Sequence, residues 1–235
     1  MISSNRTCVN YHKVIPPKTH RLSARIYLDR PRGYRGDPNW KEEYSVGGGG
    51  PLSLILVLGG ARSGKSSFAE GLMAKYSPPV TYIATAEGRD EEMIQRIQRH
   101  RATRPPSWET VEAPLGLVDE IRKRQDRGVI LVDCLTVYLS NLLLQEEMQA
   151  LDAAEREERI LLEVTTLGEV ASKAKATVIV VANEVGWGLV PPYPLGREYR
   201  DLCGFANQRL AAYAQEVYLV VAGIPLSLKD LSLGR

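Results

Sequence analysis

An α/β fold, with a mostly parallel sheet and helices on both faces, is what this sequence predicts, on three observations. Short apolar runs recur at Leu54–Leu58, Val80–Ala84, Val129–Val132, Thr177–Ala182 and Val217–Ala222. Continuous runs of this kind suit strands buried on both faces, as in parallel sheets. Segments of helical length separate them, which implies right-handed crossover connections. Finally, Leu58 is followed at once by Gly59, Gly60, Ala61, Arg62, Ser63, Gly64, Lys65 and Ser66. That octet fits G-x-x-x-x-G-K-[ST], the phosphate-cradling loop between a strand and a helix.

Taken in order, the elements follow from local chemistry. Gly59, Gly60 and Gly64 let the backbone bend and bring its N–H groups close to phosphate oxygens. Lys65 places a point charge on the outer phosphates, and Ser66 offers a hydroxyl to a magnesium ion. Ser67 to Tyr76 reads as a helix whose N-terminus faces the anion. After the Val80–Ala84 strand and the loop Thr85–Gly88, Asp90 to about Arg101 reads as a helix with Asp90 at its N-cap. Arg104-Pro105-Pro106 stops it, and Trp108 to Val111 is a candidate short strand. Leu115–Arg124 reads as a helix, and the Val129–Val132 strand ends in Asp133. Thr136–Leu144 and the charge-laced Ala150–Lys175 read as helices. After the Thr177–Ala182 strand comes the loop Asn183–Gly188, then a helix over Arg197–Gln215. Ile224–Leu228 adds an edge hairpin to the last strand.

The chain has 235 residues, 44% of them hydrophobic and 25% charged, the balance of a soluble globular protein. Its net charge of +2 argues for neither nucleic acid nor membrane. Residues 1–50 hold nine Lys/Arg against four Asp/Glu, a local +5, while the remainder carries −3. That segment shows no sustained period, carries Pro16-Pro17, Pro31 and Pro38, and ends in Gly47–Gly50 and Pro51. It reads as a basic, flexible extension before a domain over 51–235, with an organelle-targeting peptide as the alternative reading. His12 and His20 lie in it and are assigned no chemistry. Cys8, Cys134 and Cys203 have no C-x-x-C spacing, which fits a reducing cytoplasm without disulfides or zinc. No apolar run approaches the roughly 18 residues that a membrane span needs.

Two further residues are candidates for chemistry. Asp133 stands where a magnesium-organising acid is expected downstream of the phosphate loop; an ordinary strand-terminal acid is the other reading. His100 follows Met93 by seven residues and Ile97 by three, on one helical stripe, so packing at the end of an apolar face would explain it. Against that, Arg99, Arg101 and Arg104 surround it in sequence, and guanidinium neighbours disfavour the charged imidazolium. Neutral imidazole can attack phosphorus, and arginines stabilise the charge on a transferring phosphate.

Five motifs together carry a resemblance. They are the phosphate loop; Tyr82-Ile83-Ala84-Thr85-Ala86; and His100-Arg101-x-x-Arg104-Pro105-x-x-Trp108-x-Thr110-x-Glu112. The other two are Asn183-Glu184-Val185-Gly186-x-Gly188-x-Val190-Pro191 and Arg197-x-Tyr199-Arg200-Asp201-x-x-Gly204-x-x-Asn207-Gln208. In this order they resemble the bifunctional adenosylcobinamide kinase / adenosylcobinamide-phosphate guanylyltransferase of cobalamin assembly. The similarity runs from about Leu54 to Lys229, with residues 1–50 outside it.

The resemblance implies a RecA-like P-loop fold and a homotrimer. It implies phosphorylation of adenosylcobinamide with ATP or GTP, followed by transfer of GMP from GTP through a guanylylated histidine. By motif position His100 is that nucleophile. Nucleotide contacts map to the loop Gly59–Ser66, to Ala84, Thr85 and Ala86, to Arg101, Ala102, Thr103 and Arg104, and to Glu112 and Asp133. Mg2+ would be held at Ser66 and Asp133, although such proteins vary between Asp and Glu at the latter position. The corrinoid is the second substrate, and no nucleic acid is expected.

Two motifs stay open. Glu184 orients the attacking hydroxyl or a metal-bound water, or it belongs to a loop with turn glycines. Arg197, Arg200 and Asp201 lie on one helix, where the two guanidinium groups grip the corrinoid phosphate or the three residues form surface ion pairs. The rival functions are a monofunctional P-loop kinase with a structural His100, and a RecA-like regulatory module that uses the basic segment 1–50 on nucleic acid.

Overall fold

The structure, a computed structural model, describes residues 53–231 except 75, 77, 89–90, 92–93, 96, 98–100 and 102–103. His100, Ala102 and Thr103, and the expectations for residues 1–50, therefore lie outside the described residues, as does the N-cap expected at Asp90.

Seven strands form one sheet: β1 (Leu54–Gly59), β2 (Val80–Ala84), β3 (Glu109–Glu112), β4 (Val129–Asp133), β5 (Thr177–Asn183), β6 (Glu216–Val221) and β7 (Ile224–Ser227). Their order is β3-β2-β4-β5-β1-β6-β7. Every neighbouring pair is parallel except β6 with β7. The strand carrying the phosphate loop, β1, thus lies inside the sheet, between β5 and β6.

The helices are α1 (Lys65–Met73), α2 (Leu117–Arg122), α3 (Leu135–Leu143), α4 (Glu146–Gln149), α5 (Ala153–Lys173), α6 (Pro194–Tyr213) and α7 (Leu228–Leu231). Residues 91, 94, 95, 97 and 101 are also helical. The apolar run of β1 divides by strand parity. Leu54, Leu56 and Leu58 pack into a core with Leu117, Tyr138, Ile160, Leu167, Leu202 and Leu210. Ile55 and Val57 pack on the other face with Phe68, Leu72 and Met73 of α1. Each of these side chains, removed from water, contributes roughly 1.5–3 kcal/mol to folding. That two-sided burial is why β1 reads as a continuous apolar run rather than an alternating one.

Several boundaries differ from expectation for identifiable reasons. Helix α2 begins after Gly116, whose φ of 69° is left-handed and ends the preceding turn. Helix α5 begins at Ala153 because Asp152 caps it: its side chain accepts from the Glu155 N–H and Glu155 reaches back to the Asp152 N–H. Helix α6 begins with Pro194 at its first turn, three residues before Arg197, where a missing N–H costs nothing. The short helices α4 and α7 were not expected.

Candidate active site

The loop after β1 is braced from several sides. The Ser63 N–H donates to the Gly60 carbonyl at 3.2 Å, the Glu184 N–H to the Gly59 carbonyl at 3.2 Å, and the Gly223 N–H to the Ser63 carbonyl at 2.7 Å. Lys65 is buried, and its Nζ donates to the Gly60 carbonyl at 3.1 Å. The lysine therefore folds back over the loop that precedes it. Gly64, the N-cap of α1, has φ 94°, and a Cβ there would lie 3.1 Å from the Gly223 Cα. Both conformation and space require glycine. Alanine at Gly64 is expected to weaken triphosphate binding about tenfold or more, since a strained left-handed residue costs roughly 1–3 kcal/mol. Calorimetric titration with a non-hydrolysable GTP analogue checks this. An added Cβ at Gly60 meets nothing within 4 Å, so close packing does not explain that glycine.

A pocket opens beside this loop at the carboxyl ends of the strands. Its lining includes Ser66, Tyr82, Ala84, Ala86, Ile97, Arg104, Asp133, Cys134 and Asn183. The Tyr82 hydroxyl donates to Asp133 Oδ2 at 2.6 Å. The Arg104 guanidinium lies 3.3 Å above the Tyr82 ring centroid, a cation–π contact. Burial first, and then the Asp133 charge, push the Tyr82 phenol far above its usual range. It stays protonated and serves as a fixed donor that orients Asp133. The Arg104 Nε is buried with no hydrogen-bond partner among the described residues. Burial, with the Asp133 charge second, pushes the Cys134 thiol up to about 11. A thiol so raised is protonated at neutral pH and is a poor nucleophile.

Glu70, one helical turn beyond Ser66, was not singled out in the sequence. Burial raises its carboxyl above the ordinary 4.5, the Asp133 charge adds to this, and Arg104 opposes it. A carboxyl with a raised folded-state pKa holds more protons folded than unfolded, so stability falls as pH rises through the window above 4.5. Glu70→Gln is expected to remove that slope and to melt no lower than the parent above the window, as thermal melts across pH would record.

Other predicted contacts distribute unevenly. Thr85 is fully buried, and its hydroxyl is used internally, donating to the Cys134 carbonyl at 2.8 Å and accepting from the Cys134 N–H at 2.9 Å. Its carbonyl accepts from Asn141 Nδ2 at 2.7 Å. Thr85 thus staples the ends of β2 and β4. Glu112 ends β3, exposed, in register with Ala84. The side chains of Arg62 and Arg101 are exposed. His100 falls in sequence between Ile97 and Arg104, both of which line the pocket.

Beyond β5, Asn207 Nδ2 donates to Glu184 Oε1 at 3.0 Å and to the Asn183 carbonyl at 3.2 Å. Arg197 donates to the carbonyls of Pro191 and Pro192, at 3.1 and 2.9 Å. Its guanidinium holds the loop before α6 in place, a third role that neither sequence reading included.

The family model for cobinamide kinase / cobinamide phosphate guanyltransferase matches residues 55–228. The bifunctional adenosylcobalamin biosynthesis protein CobP of Pseudomonas aeruginosa is 46% identical over 175 residues, spanning 74% of this chain and 96% of that protein. The corresponding CobU of Escherichia coli K12 is 42% identical over 181 residues, spanning 75% and 99%. Among solved structures, an ATPase of the type III secretion system aligns over 78% of this chain and 59% of its own, at a TM-score of 0.50 and 11% identity. That likeness supports the P-loop NTPase fold and nothing finer. The motif order, the braced phosphate loop and these relatives lead to one conclusion: the chain belongs to the cobinamide kinase / cobinamide phosphate guanyltransferase family, enzymes of cobalamin assembly that join a kinase to a guanylyl transfer.

Proposed function

We propose that the pocket beside the phosphate loop binds the nucleotide for both reactions. The observation that supports this is the convergence of Ser66, Arg104 and Asp133 on one lining, with the His100 segment bounded by Ile97 and Arg104. In the first reaction the hydroxyl of adenosylcobinamide attacks the γ-phosphorus of ATP or GTP, a step that needs alignment and charge stabilisation. In the second, neutral His100 attacks the α-phosphorus of GTP. An N–P bond forms, the bridging P–O bond breaks, and pyrophosphate leaves with the electron pair. A phosphate oxygen of adenosylcobinamide phosphate then displaces the histidine, giving adenosylcobinamide-GDP.

Lys65 holds the outer phosphates, Arg101 and Arg104 counter the charge at the α-phosphate, and Gly59–Ser66 with Ala84–Ala86, Ala102, Thr103 and Glu112 complete the nucleotide contacts. Ser66 and Asp133 offer two hard oxygen donors on the same lining, a set that suits Mg2+, which takes one or two carboxylates plus substrate phosphates. When bound, the ion neutralises phosphate charge and eases departure of the leaving group. Tyr82 keeps Asp133 oriented for that duty through its hydroxyl.

Both activities reside in residues 51–235, with residues 1–50 an appendage outside the family match. The working species is a cytoplasmic homotrimer that engages a corrinoid and no nucleic acid. No helix among the described residues is long and apolar enough to cross a membrane. The test is mass spectrometry of the full chain after incubation with GTP and Mg2+, expected to find one acid-labile GMP adduct on His100. A chain that consumes GTP without such an adduct is a kinase only.

A further inference from the structure

Asn183 ends β5, in register with Gly59, where the phosphate loop begins. Its backbone is fixed on both sides: the N–H donates to Thr136 Oγ1 at 2.7 Å and the carbonyl accepts from Asn207 Nδ2 at 3.2 Å. Its side chain lines the pocket with Ser66 and Asp133, yet its Oδ1 is buried and has no hydrogen-bond partner among the described residues. A buried acceptor without a donor costs stability and calls for an explanation.

The chemistry of the reactants narrows that explanation. An orphaned acceptor needs a donor, and an ionised triphosphate chain has none. The attacking alcohol carries one, on the oxygen that must be aligned with the γ-phosphorus. The sheet order separates the two chemistries as well. Tyr82, and Arg104 four residues after His100 in sequence, reach the pocket from the β2 side of β4, whereas Asn183 reaches it from the β5 side.

We propose that Asn183 is a positioning residue for the kinase reaction, its Oδ1 accepting the hydrogen bond of the substrate hydroxyl and directing that oxygen at the γ-phosphorus. The inference rests on the shared-pocket reading above. In the step itself the O–Pγ bond forms and the bridging Pγ–O bond breaks. The nucleoside diphosphate leaves with the electron pair, and the hydroxyl proton passes to water, because a carboxamide does not hold it at neutral pH. The carboxamide therefore aligns and does not act as a base.

The test compares two rates on the same preparation of full-length Asn183→Ala. One is γ-phosphoryl transfer from GTP to adenosylcobinamide; the other is self-labelling by α-labelled GTP, which involves no alcohol. Misplacing an attacking atom typically costs on the order of 100-fold, so the turnover of phosphoryl transfer is expected to fall by about that factor. Self-labelling and the KM for GTP should stay within about threefold of the parent, the pattern of an interaction made chiefly in the transition state. The ratio of the two rates does not depend on the fraction folded. Asn183→Leu, similar in size and without an acceptor, is expected to give the same ratio. Melting temperature should not drop in Asn183→Ala, since no hydrogen bond of Oδ1 is lost. Equal loss of both rates would mean that the carboxamide instead donates to the phosphates, or supports the fold, and would overturn the proposal. An unchanged ratio with full activity would overturn it too. A parent chain that never self-labels refutes the shared-pocket reading, a result separate from either of these.

Discussion

His100→Ala is expected to abolish covalent labelling by α-labelled GTP and with it the formation of adenosylcobinamide-GDP, while γ-phosphoryl transfer stays within about tenfold of the parent. The split follows from what each step requires. Kinase chemistry passes through a loose transition state in which the protein supplies alignment and charge. Attack at the α-phosphorus with a protein-bound intermediate requires a nucleophile, and neither Cys134 nor Tyr82, two of the described residues that line the pocket, is fit for the task. The Cys134 thiol is held protonated, its pKa raised to about 11 by burial. The Tyr82 phenol is held protonated by burial and by the Asp133 charge. Scintillation counting of protein quenched in base, with an acid-treated control that should lose the label, run beside a kinase assay, reads both outcomes. Equal labelling of variant and parent would remove His100 from the mechanism.

Lys65→Ala is expected to lose both activities together, by at least about 100-fold each. Here the two reactions share an element, because one bound GTP presents both its α- and γ-phosphorus atoms and the lysine anchors the outer phosphates in either case. The structure adds a second effect. Lys65 Nζ also donates to the Gly60 carbonyl across the loop, so the alanine variant loses a brace of the loop along with its charge. Lys65→Arg would keep the charge, but a planar fork does not reproduce a point-charge contact, and it is not expected to rescue the activity. Steady-state assays of both half-reactions, with nucleotide titration, decide this; unchanged affinity and turnover would contradict the phosphate-loop assignment.

Much of the molecule could be read from the sequence because its signals are local. The phosphate loop is eight contiguous residues, and the Val80–Ala84 strand was expected at its observed bounds. An edge hairpin was expected over Ile224–Leu228, and β6 with β7 is the antiparallel pair among the described residues, its turn at Ala222 and Gly223, both with positive φ. What escaped was set by spatial assembly. Tyr82, Glu70 and Asn183 belong to three elements whose proximity depends on β4 and β5 standing between β2 and β1 in the sheet. Nothing in the spacing of Glu70 shows that burial, and then the Asp133 charge, raise its carboxyl, and only the packed structure shows that the Asn183 Oδ1 has no donor among the described residues. Thr85 was placed among nucleotide contacts on motif position; the packed chain shows its hydroxyl already occupied with Cys134.

The hairpin turn at Gly223 has a consequence for how the chain matures on the ribosome. The phosphate loop is made early, at residues 59–66, but it rests on a hydrogen bond from Gly223 to Ser63. Strand β1 likewise waits for β5 and β6, its neighbours on either side, which emerge more than a hundred residues later. The loop that opens α1 is therefore held by residues made more than a hundred positions later, and a nascent chain lacks these braces until β5, β6 and the hairpin turn have been made.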